Sequence, residues 1–170
     1  MIKKYPLLLT VAILAISTFN VAADDKASVY LFVIPDCPIV NRYAPEINRI
    51  YEDYSGKGVK ITLVYAEPSL TSADIEKHRK EYSLKPPGVL DPGWKITRRS
   101  GATITPEAVV YDAGEKIVYR GRIDDWFTDF GDSRREASEK NLRLALDAVL
   151  AGKEVEIKEA EAVGCYIEYD

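Results

Sequence analysis

The chain has 170 residues, of which 46% are hydrophobic and 29% charged, with a formal net charge of −4. That is enough apolar content for one domain with a proper core, and the acidic balance argues against nucleic acid or an anionic membrane surface as partner. The two cysteines are too few for a disulfide-built scaffold.

Residues 1–23 read as a signal peptide. Lys3 and Lys4 supply the positive end, residues 6–16 form an apolar run too short to span a bilayer, and Val21-Ala22-Ala23 offers small residues for cleavage after Ala23. The mature chain, 24–170, would keep 147 residues and a net charge of −6. It is expected to be periplasmic or secreted, with no stable membrane insertion after signal cleavage. Export favours oxidised thiols.

Residues 29–34 form a buried apolar strand, which Pro35-Asp36 breaks, and a helix opens at Cys37. A thiol at a helix N-terminus faces unpaired backbone N–H groups and the positive end of the dipole, both of which favour the reactive thiolate. Asp36 opposes this through its own charge. The balance predicts that Cys37 alkylates faster than Cys165. The helix carries Tyr43, Ile47, Ile50 and Tyr54 on one stripe, contains Pro45, and ends at Ser55-Gly56.

Residues 59–65 are a β-branched strand, and 70–82 an amphipathic helix bearing His78, read as solvated or half-buried. Short extended residues 89–90 precede helical turns at 94–99. Thr103-Ile104-Thr105-Pro106 then leads into strands at 107–111 and 116–120, joined by a hairpin turn at 112–115. The longest helix is predicted over 133–150, and residues 152–170 form a C-terminal tail containing Val163-Gly164-Cys165. The order implies a single α/β domain over 24–170.

The segment Cys37-Pro38-Ile39-Val40-Asn41-Arg42-Tyr43-Ala44-Pro45 resembles the active-site segment of the thioredoxin fold, and Thr105-Pro106 resembles its cis-proline loop. With GATITPEAVVYD, YRGRIDDW and the late VGC, the chain is similar to an exported redoxin-domain family of the AhpC/TSA-like or thiol-disulfide isomerase-like kind. The resemblance implies a thioredoxin-like fold, in which a central mixed β-sheet is flanked by helices. It departs from its relatives in three places. Val40 replaces the second cysteine of a Cys-x-x-Cys dithiol, Tyr30 and Ile34 replace the proline and threonine of the peroxiredoxin pattern, and Asn41 replaces the second cysteine of Sco-type copper proteins.

The implied activity is thiol-disulfide exchange with protein thiols or disulfides, or with a small thiol, and without an organic cofactor. Cys37 would be the nucleophile. Cys165 would either resolve it or hold it in a static disulfide that fastens the tail. Thr105 and Pro106 would present a backbone edge to a substrate peptide. Asn41 would line the site, Glu107 would shuttle a proton, and Arg122 would support the thiolate or pair with Asp124 or Asp125. A copper-binding alternative uses Cys37, Cys165 and His78. Weaker alternatives are a thiol peroxidase and a redox-inert interaction module.

Overall fold

The computed structural model of the protein describes residues 25–169, so the segment read as a signal peptide lies outside the described residues. In chain order the elements are β1 (Ala27–Val33), α1 (Pro38–Ser55), β2 (Val59–Tyr65), α2 (Ser72–Glu81), β3 (Gly88–Leu90) and α3 (Lys95–Ser100). They continue with β4 (Ile104–Thr105), β5 (Glu107–Asp112), β6 (Ile117–Gly121), β7 (Phe127–Asp129), β8 (Asp132–Ser133), α4 (Asn141–Leu150), β9 (Glu159–Ala160) and β10 (Cys165–Tyr166). The main sheet has the order β3-β2-β1-β5-β6-β9. β1 runs parallel to β2 and antiparallel to β5, so the sheet is mixed, as expected.

The period of two along the central strands divides the core between the two faces of the sheet. Val29, Leu31 and Val33 join Ile61, Leu63, Tyr65, Ala108 and Val110 on one face. There they meet Ile47 and Ile50 of α1 and Leu142 and Leu146 of α4. Phe32, Val64, Val109 and Tyr111 point to the other face and pack with Trp94, Ala102 and Ile167. Because both faces are covered, these strands read as nearly continuous apolar runs.

The C-terminal tail is part of this architecture. Val155 is buried in the first cluster and Ile167 in the second. β9 extends the main sheet beside β6, and Ile167 N donates to Thr103 O at 2.9 Å.

The helix predicted over 133–150 is shorter than expected. α4 begins at Asn141, and residues 132–133 instead pair with β7 as a small hairpin. Buried Asp125 is the physical reason. Its carboxylate accepts from the backbone N–H groups of Ser138 (2.6 Å) and Glu139 (2.8 Å) and from the Ser138 hydroxyl. Those bonds hold 138–139 as a loop that a helix starting at 133 would have to surrender.

Candidate redox site

β1 ends in the turn from Ile34 to Cys37, closed by Cys37 N donating to Ile34 O at 3.3 Å. Cys37 is the N-cap residue of α1, Pro38 takes the first helical position, and Pro45 lies inside the helix. Pro38 has no N–H to give, and the Cys37 side chain makes no capping hydrogen bond. The helix N–H groups expected to favour the Cys37 thiolate therefore make no side-chain bond to it, and the expected faster alkylation of Cys37 loses that support. Instead the thiol donates to Thr105 O at 3.4 Å, and the residue is 0% exposed.

Thr105 is buried, and its bond to Pro106 is cis. β4 pairs antiparallel with β10, with Thr105 opposite Cys165 and Ile104 opposite Tyr166. The Thr105 hydroxyl donates to Cys165 O at 3.3 Å. Gly164 makes this approach possible, because a Cβ there would overlap the Thr105 carbonyl and crowd Pro106.

The register carries Cys165 Sγ to 2.9 Å from Cys37 Sγ, with the Cys165 thiol as donor. Both are free thiols. A disulfide bond measures about 2.05 Å, so closing it requires sulfur movement of less than about 1 Å. Burial, followed by the hydrogen bond to Cys37 and the proximity of its charge, pushes the Cys165 thiol up to about 12.

Asn41 sits one turn into α1 and braces the Cys37 turn from beneath. Its Nδ2 donates to Pro35 O at 2.8 Å, which leaves Oδ1 to accept from His78 Nε2 at 2.9 Å. His78 Nδ1 then accepts from the Tyr65 hydroxyl at 2.8 Å. His78 is 3% exposed, a correction to its reading as solvated or half-buried, and burial lowers its pKa despite the opposing charges of Glu81 and Asp36. This chain from β2 through α2 to the active loop was not legible in the sequence. A lone histidine among Glu76, Lys77, Arg79 and Lys80 carries no signal of burial.

With both ring nitrogens engaged, His78 does not join the sulfurs. Among the described residues, no group of three or more His, Cys, Asp or Glu side chains is placed to hold a metal. The Cys37, Cys165 and His78 copper set does not fit this arrangement.

Glu107 turns its carboxylate to the loop before Pro106 and accepts from Thr103 N at 2.8 Å and Ile104 N at 3.4 Å. Burial raises its pKa against those bonds. Arg122 pairs with neither Asp124 nor Asp125. Its Nη2 meets Glu139 Oε2 at 2.6 Å and its Nε donates to Asn141 Oδ1 at 2.8 Å. Asp124 is occupied by the Tyr43 hydroxyl at 2.6 Å and Trp126 N at 2.9 Å.

Beside the sulfurs, a cleft of about 920 Å³ opens between the β7–β8 hairpin and the tail, with Ile104, Arg122, Phe130, Gly164, Cys165 and Tyr166 among its lining residues. The Arg42 guanidinium stacks over Trp126 (4.9 Å) and Phe127 (4.8 Å), tying the hairpin wall to α1. Phe130 and Tyr166 are exposed at the cleft.

A family model described as Redoxin matches residues 12–131. No curated protein matches the chain. Among solved structures, an uncharacterized conserved protein from Geobacillus kaustophilus is similar at 28% identity and a TM-score of 0.75, over 86% of this chain and 78% of that one. A hypothetical protein from Sinorhizobium meliloti 1021 follows at 27% identity and 0.73, over 87% and 82%. The thioredoxin domain of a thiol-disulfide oxidoreductase from Bacteroides vulgatus matches at 19% identity and 0.50, over 58% and 71%. That last likeness is one of fold, and the fold is thioredoxin-like.

Proposed function

The chain belongs to the Redoxin family, and on that premise we propose that it is an exported thiol-disulfide oxidoreductase whose redox couple is Cys37 and Cys165. The observation that carries this reading is the 2.9 Å separation of the two sulfurs, brought together across 128 positions of sequence. Cys165 restores the dithiol that Val40 removes from the Cys-x-x-Cys position. Oxidation joins the two sulfurs with loss of two electrons and two protons, and reduction by a substrate dithiol reverses it. Within the pair Cys37 is the nucleophile that attacks Cys165 Sγ to close the couple, and Cys165 is the thiol that completes it.

Thr105 and Pro106 frame the pair, Asn41 and Glu107 hold the loops on which it rests, and Arg122 walls the cleft beside it. The sulfurs carry the electrons themselves, so the reaction requires no organic cofactor. The compartment is periplasmic or extracellular, following the signal-like residues 1–23, and the partners are protein thiols. No described helix is long and apolar enough to cross a membrane.

The test is a redox titration of the mature protein with a thiol count at each poise. A single two-electron transition between two free thiols and none is expected, abolished by Cys37→Ser and by Cys165→Ser. Two thiols that stay free at every poise would overturn the reading.

A further inference from the structure

Resting on the reading that Cys37 and Cys165 are the redox couple, we propose that Cys165 is the sulfur that joins the substrate, and that the couple oxidises cysteine pairs in extended polypeptide segments entering the cleft beside β10. Cys37 is 0% exposed and touches Thr105 on one side and Cys165 on another. Cys165 is partly exposed and lines the cleft. For an external thiolate to reach Cys37, β10 would have to leave β4 and give up its pairing at Thr105 and Ile104. Cys165 stands on the cleft wall itself, so approach to it does not require that separation.

The exchange then follows a defined course. A substrate thiolate bonds to Cys165 Sγ, the Cys37–Cys165 bond breaks, and Cys37 departs with the electron pair as thiolate. A second substrate thiolate attacks the substrate sulfur of that mixed disulfide, closes the substrate disulfide and expels Cys165, which takes up a proton. The substrate loses two electrons and the couple gains them. Because the attack falls on Cys165, Cys37 is the sulfur that departs, and the burial that pushes the Cys165 thiol up slows its own departure in the second step. The protonated Cys165 then donates to Cys37, the contact present in the structure.

The exposed rings of Phe130 and Tyr166, at 62% and 78%, give the cleft an aromatic rim suited to a chain rather than to a small polar thiol.

The experiment mixes the oxidised protein with an excess of a synthetic peptide carrying one cysteine, quenches in acid within the first turnover, and maps the peptide adduct by mass spectrometry. The expected result is peptide on Cys165 with Cys37 free, in at least about tenfold excess over the reverse. Adduct chiefly on Cys37 would overturn the proposal. A second measurement uses Cys37→Ser and Cys165→Ser with a peptide disulfide that releases a coloured thiol, and with the urea-unfolded variants as the reference for full access. With each rate divided by that of the same variant in urea, Cys165 should keep at least about tenfold more of its unfolded reactivity than Cys37, whose sulfur is buried, and the opposite order would overturn the assignment. An oxidised protein lacking any Cys37–Cys165 bond is a different result, which removes the couple itself and this inference with it.

Discussion

Cys165 lies directly opposite Thr105 across the β4–β10 pair, and that register sets its sulfur against Cys37. The two cysteines therefore meet through a third residue: Thr105 takes a hydrogen bond from the Cys37 thiol with its carbonyl and gives one to the Cys165 carbonyl with its hydroxyl. The consequence is a dithiol whose closeness depends on a backbone pairing rather than on a single helical turn. Loss of that pairing separates the sulfurs without altering either one.

Gly164 is the position where this dependence is most exposed. Gly164→Ala places a Cβ against the Thr105 carbonyl and Pro106, contacts that backbone cannot readily yield. Overpacking of this kind costs about 1–3 kcal/mol. The oxidised couple should be easier to reduce by about tenfold or more in the exchange equilibrium, while both thiols remain countable in the unfolded protein. An unchanged equilibrium against a glutathione buffer would show that β10 tolerates the methyl group.

Asp125 should dominate the stability of the hairpin wall. Asp125→Ala removes the charged acceptor of the part-buried hydrogen bonds from Ser138 N and Glu139 N, a loss of about 1.5–3 kcal/mol by chemical denaturation. Burial works against its charge, but the bonds from Glu139 and Ser138 and the nearby Arg134 outweigh it and hold the carboxyl down to about 2. A depressed folded pKa means that the unfolded chain takes up the proton first. The contribution is thus complete above the ordinary aspartate range and is lost as pH falls through it toward about 2. The variant should lack that acid-side loss.

His78 gives a loss of the same sign in a higher pH range. Its protonation is disfavoured in the folded protein, so above its ordinary value, about 6.5, it adds no pH dependence. As pH falls below that value, the unfolded chain binds a proton that the folded chain resists, and stability drops by at most about 1.4 kcal/mol per pH unit. His78→Gln should flatten the stability profile between about pH 7 and 5 relative to the parent. Glu107 and Asp124, whose raised pKa values act with the other sign, are common to both proteins and cancel in the difference.

Processing supplies a prediction independent of the site. Mass spectrometry of the protein recovered from an exporting host should place the N-terminus at or near Asp24, as the sequence of residues 1–23 implies. Intact Met1 on the abundant form would remove the cleavable signal and the export reading with it.

The sequence by itself determined the layering of the sheet and the position of the first thiol. The nearly continuous apolar runs in 29–33, 59–65 and 107–111 are a local property of the strands, and any chain that buries both faces of a sheet must write them in consecutive residues. The break at Pro35-Asp36 likewise places Cys37 at the start of α1 through contacts within a few positions. What only the tertiary structure decided is everything that depends on register between distant segments. Nothing near Cys165 states that it pairs opposite Thr105, and nothing near His78 states that Tyr65 and Asn41 will take both its nitrogens. The early end of the long helix belongs here too, since its local pattern favours helix and a carboxylate from outside it, on Asp125, claims the backbone instead. Local periodicity is fixed by the side chains of adjoining residues, whereas such pairings are chosen by the folded surface against which each segment comes to rest. For that reason the tail's cysteine, ambiguous in the sequence, acquires its place only when β10 finds the edge of β4.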